Sequence, residues 1–382
     1  MLDPVELTRE LIRRPSVTPK DEGALAVLEQ ALKPLGFNCQ RLPFSQAGTA
    51  DVDNLYARIG SGKPHFCFAG HSDVVPVGDA GGWRHDPFGA EIEGGMLYGR
   101  GASDMKGAIG AFAAGAAAFL ARQGRTFNGS ISLLITGDEE GVAINGTPKM
   151  LKWLAGRNES IDACVVGEPT SESALGDMMK IGRRGSMNAK LTVHGVQTHS
   201  AYPHQGDNPN HRLIRLLADL TGHELDKGTE WFPPSSLQVT TIDVGNPATN
   251  VIPAIARASL NIRFNDLHTS SKLTAWLKER IAAAGGKCDM ETHVSGEAFL
   301  TKPGPLSALV SDAVHAATGR TPALSTTGGT SDARFICAYT PVVEFGLTSR
   351  TAHKVDECAA VADIAALAKI YGGILDRFFA GP

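Results

Sequence analysis

A chain of 382 residues exceeds what one hydrophobic core ordinarily serves, so two domains are expected, and 42 % hydrophobic with 20 % charged residues is ordinary for a globular protein. Thirty-six basic side chains against 40 acidic ones leave a net charge of −4, with Lys and Arg scattered, which excludes the electrostatic footprint of a nucleic-acid binder. No apolar stretch is long enough to span a bilayer, the longest being the Ala- and Gly-rich "AIGAFAAGAAAFLA".

The chain opens with Asp3 placed as an N-cap, Pro4 at the first helical position and Glu6 completing a capping box, which predicts a folded first helix and not a signal peptide. Six cysteines form no CxxC pair. Several lie in apolar segments such as "HFCFAG" and "DACVVG", where a thiol is a small hydrophobe, so a reducing, cytoplasmic location is expected. Next come a strand at 65–73, a helix at 105–122, a strand in "SISLLITGDEE", a helix at 147–155 and a strand in "DACVVGEPT". That alternation predicts an α/β fold with a mixed, mostly parallel sheet flanked by helices, whose functional groups gather at the carboxyl ends of strands.

From about residue 181 the pattern changes. "MNAKLTVHG" and "ARASLNIRFN" alternate polar with apolar, 209–221 and 271–284 read as amphipathic helices, and "EWFPPSSLQ" reads as a loop. These predict a smaller α+β domain inserted over 181–296. A helix at 305–318, the loop "STTGGTSDARF", the strand "PVVEFG" and a helix at 359–379 then resume the first domain, which is discontinuous over 1–180 and 297–382.

The strand-end segments concentrate charge. His71 and Asp73 lie two residues apart; "TGDEEG" carries Asp138, Glu139 and Glu140; "VVGEP" carries Glu168; "GRGASDMKG" carries Asp104 on a Gly-rich turn; and "SRTAHKVDE" carries His353. Singly each has an ordinary structural reading, a strand-end Asp as cap or turn former, His65 or His85 as a surface or satisfied core group. Gathered on one rim they repel one another unless a multivalent cation sits among them. Imidazole and carboxylate without thiolate suit zinc, or cobalt and manganese in competition, with open catalytic positions. There is no HExxH helix and no P-loop, and "GRGASDMKG" lacks the third glycine of the dinucleotide pattern.

"GHSDVVPVGD", "LYGRGASDMKG", "TGDEEG", "VVGEPTS" and the pair Ala352–His353 resemble the metal-binding segments of the co-catalytic zinc aminoacylase and carboxypeptidase family, which includes acetylornithine deacetylases. "GRRGSMNAKLTVHGVQTHSAYPH", "DNPNH", "FPPSSLQ" and "ATNVIP" are similar to its desuccinylase branch, so that the resemblance extends over nearly the whole chain. It implies a hydrolase with two divalent ions, Zn2+ first with Co2+ or Mn2+ as alternatives, acting on a succinyl amide of diaminopimelate in lysine and cell-wall precursor biosynthesis. It implies His71, Asp104 and Glu168 on one ion and Asp104, Glu140 and His353 on the other, with Asp104 bridging. Glu139 becomes the general base, Asp73 a group orienting His71 through its other ring nitrogen, and the peptide after Asp104 is expected to be cis.

The same resemblance makes the inserted domain a lid and homodimer interface that supplies His199 to the partner subunit as oxyanion donor, although Thr198 and Ser200 stand where relatives usually carry Gly and Val. A substrate with several carboxylates calls for Arg, and Arg183, Arg184, Arg263 and Arg350 are available. The resemblance favours Arg183 and Arg263, and Arg184 reads as part of a solvated hinge. Ser186, Asn250, Gly329 and Thr330 are further substrate contacts. The alternatives are a related deacylase or dipeptidase, and a non-catalytic protein that metal merely stabilises; neither nucleic acid nor membrane is expected as partner.

Overall fold

The computed structural model describes residues 2–124 and 127–380. It divides into two compact units, one of Met1–Ile181, Thr301–Ser325 and Ser331–Pro382, the other of Gly182–Leu300 with Thr326–Thr330. The inserted segment thus runs on to Leu300, and a short return, Thr326–Thr330, groups with it. The physical reasons are local: Leu300 pairs with Gly182, the Arg183 guanidinium donates to the Thr327 carbonyl at 3.3 Å, and the Thr326 hydroxyl donates to the Trp231 carbonyl at 2.5 Å. Gly329 and Thr330, expected in the resumed first domain, therefore belong with the second unit.

The first unit is built on an eight-stranded sheet in the order Asn38–Arg41, Leu55–Ser61, Gly129–Thr136, His65–His71, Ala163–Val166, Val342–Glu344, Met178–Lys180 and Ala323–Ser325. Its four central strands, Gly129–Thr136 through Val342–Glu344, are mutually parallel, while antiparallel pairs bring in Leu55–Ser61 on one side and Met178–Lys180 on the other. Those central strands are buried throughout, because helices cover both faces and each strand must be apolar on both. On one face Phe68 stacks on Phe112 of the helix Lys106–Gln123 at 4.3 Å and meets Tyr371 of Val361–Ala380 edge-on at 5.4 Å. On the other, Tyr56 meets Trp153 of Thr147–Ala155 edge-on at 5.6 Å.

The Ala- and Gly-rich helix Lys106–Gln123 is buried along most of its length, and its composition follows from that packing. A side chain at Gly110 would strike the Thr8 hydroxyl, and one at Gly115 the Ala368 carbonyl. Among the described residues no helix is long and apolar enough to cross a membrane. In the first helix, Pro4–Ile12, the Asp3 carboxylate accepts from the Val5 and Glu6 amides, whereas Glu6 is drawn to Arg9 at 2.9 Å and its capping-box bond is not among the contacts found.

The second unit is an antiparallel sheet ordered Ser236–Asp243, Ile255–Phe264, Gly185–His194, Cys288–Gly296, with the helices Pro209–Gly222 and Ser270–Ala284 packed on it. Alternate residues Met187, Ala189, Leu191 and Val193 meet Leu213, Leu216, Leu217, Leu273 and Leu277 in its core. The two outer strands lack the regular apolar alternation of the inner pair, and "EWFPPSSLQ" is a loop only to Ser235, since Ser236 opens one of them. Likewise Cys358–Ala360 is a short strand, and the last helix begins at Val361.

Candidate metal centre

Three parallel strands end side by side in the order Gly129–Thr136, His65–His71, Ala163–Val166, so Glu139 and Glu140, His71, and Glu168 leave the sheet as neighbours. Asp104, from the turn before Lys106–Gln123, and His353, from the loop after Val342–Glu344, complete the group. His71 Nε2 lies 3.2 Å from Asp104 Oδ1 and 3.7 Å from Glu168 Oε1; His353 Nε2 lies 3.3 Å from Asp104 Oδ2 and 2.7 Å from Glu140 Oε1. Asp104 thus turns one oxygen to each histidine. His71, Asp104 and Glu168, and separately Asp104, Glu140 and His353, offer ligand atoms within 4.8 Å of one another. The Asp104–Met105 peptide is cis.

The chemistry of this set demands positive charge. His71 Nδ1 donates to the Asp73 main-chain carbonyl at 2.9 Å, which leaves Nε2 facing two carboxylate oxygens. Burial alone would lower the pKa of His71, yet the hydrogen bond to Asp104 and the charges of Glu168 and Asp73 raise it well above the ordinary value. The bonds of His353 to Asp104 and Glu140 push its pKa up to about 10. Burial pushes the Asp104 carboxyl up, but the bonds to His353 and His71 outweigh it and hold it well below the usual range. Two imidazoles and a set of carboxylates that together stabilise a cation fit two divalent ions.

Asp73 acts differently from the expectation. Its carboxylate is 3.7 Å from His71 Nδ1, and the bond that orients the ring comes from its main-chain oxygen. The carboxylate instead accepts from the amides of Glu139 at 3.3 Å and Glu140 at 3.1 Å, so it fixes the acidic turn; full burial raises its pKa to about 6.

Glu139 also comes within 4.8 Å of His71 and Glu140 in ligand-atom terms, so proximity alone does not separate it from the ligands. What distinguishes it is Arg334, whose Nη1 is 3.5 Å from Glu139 Oε1 with both side chains nearly buried. Burial, followed by the charges of Glu168 and Asp332, raises the Glu139 pKa well above the carboxylate range. Arg334 lies within the segment "STTGGTSDARF", and no spacing in the sequence marks it for this role.

The remaining expected residues lie in the second unit, Arg350 excepted. His199 is exposed on a short ladder with Val251–Ile252, and its Nδ1 accepts from the Ala201 amide at 3.0 Å, which leaves the ring proton on Nε2, free to donate. Thr198 pairs in register with Ile252 and the Ser200 amide donates to the Asn250 carbonyl at 2.9 Å, so both unusual neighbours sit in regular pairing. Asn250 is itself exposed. Ser186, buried, pairs across the sheet with Arg263. Burial and then the charge of Arg184 lower the pKa of Arg263, which brings Arg184 into the same basic patch. Arg183 is nearly buried against the Thr326–Thr330 segment, and Arg350, in the first unit, is exposed beside Ser173, Thr348 and Lys354.

The buried His65, by contrast, is satisfied by the Ser160 carbonyl and the Ser132 hydroxyl, and His85 bridges Glu91 and Glu93.

Comparison with known proteins places these motifs in context. The sequence pattern described as Peptidase family M20/M25/M40 matches residues 67–377. A protein named succinyl-diaminopimelate desuccinylase from Parvibaculum lavamentivorans is 61 % identical, with 99 % of this chain and 96 % of that protein covered. Another of the same name from Rhodospirillum centenum is 59 % identical, covering 99 % and 98 %. Among solved structures, an M20 family metallo-carboxypeptidase from Sulfolobus solfataricus superposes with a TM-score of 0.79 at 18 % identity over 100 % of both chains. A dinuclear metal binding peptidase of the M20 family from Bacillus subtilis gives 0.70 at 14 % identity, covering 97 % of this chain and 96 % of that one. With the pattern spanning most of the chain and relatives this similar along its whole length, the chain belongs to peptidase family M20/M25/M40.

Proposed function

We propose that the chain is a dinuclear metallohydrolase that cleaves N-succinyl-LL-2,6-diaminopimelate to succinate and LL-2,6-diaminopimelate. The observation that carries the reading is the pair of ligand triads sharing Asp104, with Glu139 held beside them by Arg334 and not by a histidine. Full-length relatives at 54–61 % identity that bear the desuccinylase name support the substrate. His71, Asp104 and Glu168 would hold one ion and Asp104, Glu140 and His353 the other; Zn2+ is the ion proposed. Two such ions lower the pKa of water and polarise an amide carbonyl.

The chain's own residues do the rest. Glu139 takes a proton from the attacking water and returns it to the leaving amine. Arg334 keeps its carboxylate aimed. His199 offers Nε2–H to the developing oxyanion from the second unit of a partner subunit. A homodimer through that unit is supported by its two edge strands, which expose Ile242 at 60 % and Val294 at 40 %. Arg183 and Arg263, with Ser186, Asn250, Gly329 and Thr330, grip the substrate's carboxylates by forked and main-chain hydrogen bonds.

The test is turnover of N-succinyl-LL-diaminopimelate against N-acetylornithine by protein of measured metal content. Two ions per chain and faster desuccinylation are expected. Faster deacetylation would replace this substrate with that of the related deacylases, and full activity after exhaustive chelation would remove the metal mechanism.

A further inference from the structure

A buried ion pair, Arg100 with Glu357, ties the turn that carries Asp104 to the loop that carries His353. Glu357 is fully buried and Arg100 almost so, and Arg100 Nη1 donates to Glu357 Oε2 at 2.8 Å. The other oxygen, Glu357 Oε1, accepts from the amides of Ser103 and Asp104, both at 3.0 Å. The Glu357 carbonyl accepts from Gly99 at 2.9 Å, and Arg100 Nη1 also donates to the Lys354 carbonyl at 3.1 Å. Ser103 Oγ donates to the Thr348 carbonyl at 2.6 Å. Every one of these bonds runs between the turn that carries Asp104 and the loop that carries His353.

That loop needs holding. His353 and Asp356 both adopt left-handed backbone conformations, φ +63° and +55°, uncommon for residues other than glycine although His and Asp tolerate them better than most. Two such residues close together are held by the contacts around them. Arg100 pins the carbonyl of Lys354, the residue after His353, Arg84 grips the Asp356 carboxylate at 3.1 Å, and Glu357 ties the loop's end to the amide of Asp104 itself. The guanidinium of Arg100 is further held 5.1 Å over the Trp83 ring.

We infer that Glu357, braced by Arg100, is a positioning residue that presets Asp104 and His353 at the spacing the second cation position requires. The inference rests on the dinuclear reading above. It locates the determinant in a single acceptor oxygen: Glu357 Oε1 fixes the Asp104 main chain, and the carboxylate of Asp104 is thereby presented to both histidines. The charge on Glu357 is needed only to balance Arg100 in a buried place.

Two double variants separate these parts, since each removes both charges and leaves no buried ion unpaired. In Arg100→Met with Glu357→Gln, the amide oxygen can still accept from Ser103 and Asp104; in Arg100→Met with Glu357→Leu, it cannot. Chelator-treated proteins are titrated with Co2+, followed by calorimetry and by the visible absorption of the bound ion, with circular dichroism reporting the fold. Wild type and the Gln variant are expected to take up two ions. The Leu variant should keep its fold and bind the second ion roughly 10–100-fold more weakly, with an altered absorption band. Equal affinities in the two double variants overturn the inference, as does a weakened second ion in both or loss of the native fold in the Leu variant alone. Wild-type protein that takes up fewer than two ions would instead sink the dinuclear reading and this inference with it.

Discussion

His353 shows what the paired carboxylates cost and what they supply. Asp104 and Glu140 raise its pKa to about 10, so in chelator-treated protein near neutral pH the ring is protonated, and an ion can take Nε2 only as that proton leaves. Each ion bound there therefore expels a proton, and its apparent affinity is expected to rise by about tenfold per pH unit until pH approaches about 10 and then level off. Calorimetric titration at pH 7 in two buffers of different ionisation enthalpy measures the release directly; no net release would contradict the ligand role of His353. The five residues proposed as ligands were picked out by the family resemblance; His71, Asp104, Glu140 and Glu168 also sit at or just past a strand end or Gly-rich turn, whereas His353 lies within a loop that carries no such mark. Arg334 and Glu357 were not picked out, since their significance lies in contacts with Glu139 and Asp104 nearly two hundred or more positions away in the chain, and no local spacing announces such a contact. Asp73 was legible as a residue and misread as a group: its main-chain oxygen, which every residue carries, holds the ring, and its carboxylate holds the next strand's turn.

Between elements, the close approach of two strand ends sets the position of Glu168. A Cβ built at Gly346, just past Val342–Glu344, would lie 2.5 Å from the carbonyl oxygens of both Gly167 and Glu168. Backbone cannot swing aside as a side-chain tip can. Gly346→Ala is therefore expected to cost about 1–3 kcal/mol as an overpacked contact and to push Glu168 off its place near His71. Lowered thermal stability together with loss of tightly bound metal is the expected outcome; unchanged metal content would show that Glu168 is held by something other than this contact. The central strands were readable because double-sided burial writes a continuous apolar run. The strands Asn38–Arg41, Ser236–Asp243 and Cys288–Gly296 were not, because each is the outer strand of its sheet, half-exposed and polar, and pairing rather than composition makes it a strand. The helices fared well where Pro or Asn marks the start, as at Pro305–Thr318 and Pro209–Gly222.

The change of character near residue 181 is written in the residue pattern, but the return of Thr326–Thr330 to the second unit is not, because it depends on Trp231 and Arg183 in the folded chain. The division matters because the proposed general base and the proposed oxyanion donor lie in different units, Glu139 in the first and His199 in the second. If His199 serves the partner's site, the two functions are separable between subunits. Glu139→Ala and His199→Ala homodimers should each be nearly inactive while retaining metal. Co-expression of the two variants with different tags yields a mixed dimer in which one site has lost both groups and the other has kept both, the intact Glu139 of one subunit meeting the intact His199 of its partner. Such a dimer should recover about half of the wild-type rate, as twofold symmetry requires. Were His199 to act within its own chain, each site of the mixed dimer would lack one group and the rate would stay at the level of the single variants. Failure to isolate any mixed species, with wild-type activity residing in a monomer by light scattering, would remove the dimer from the mechanism altogether.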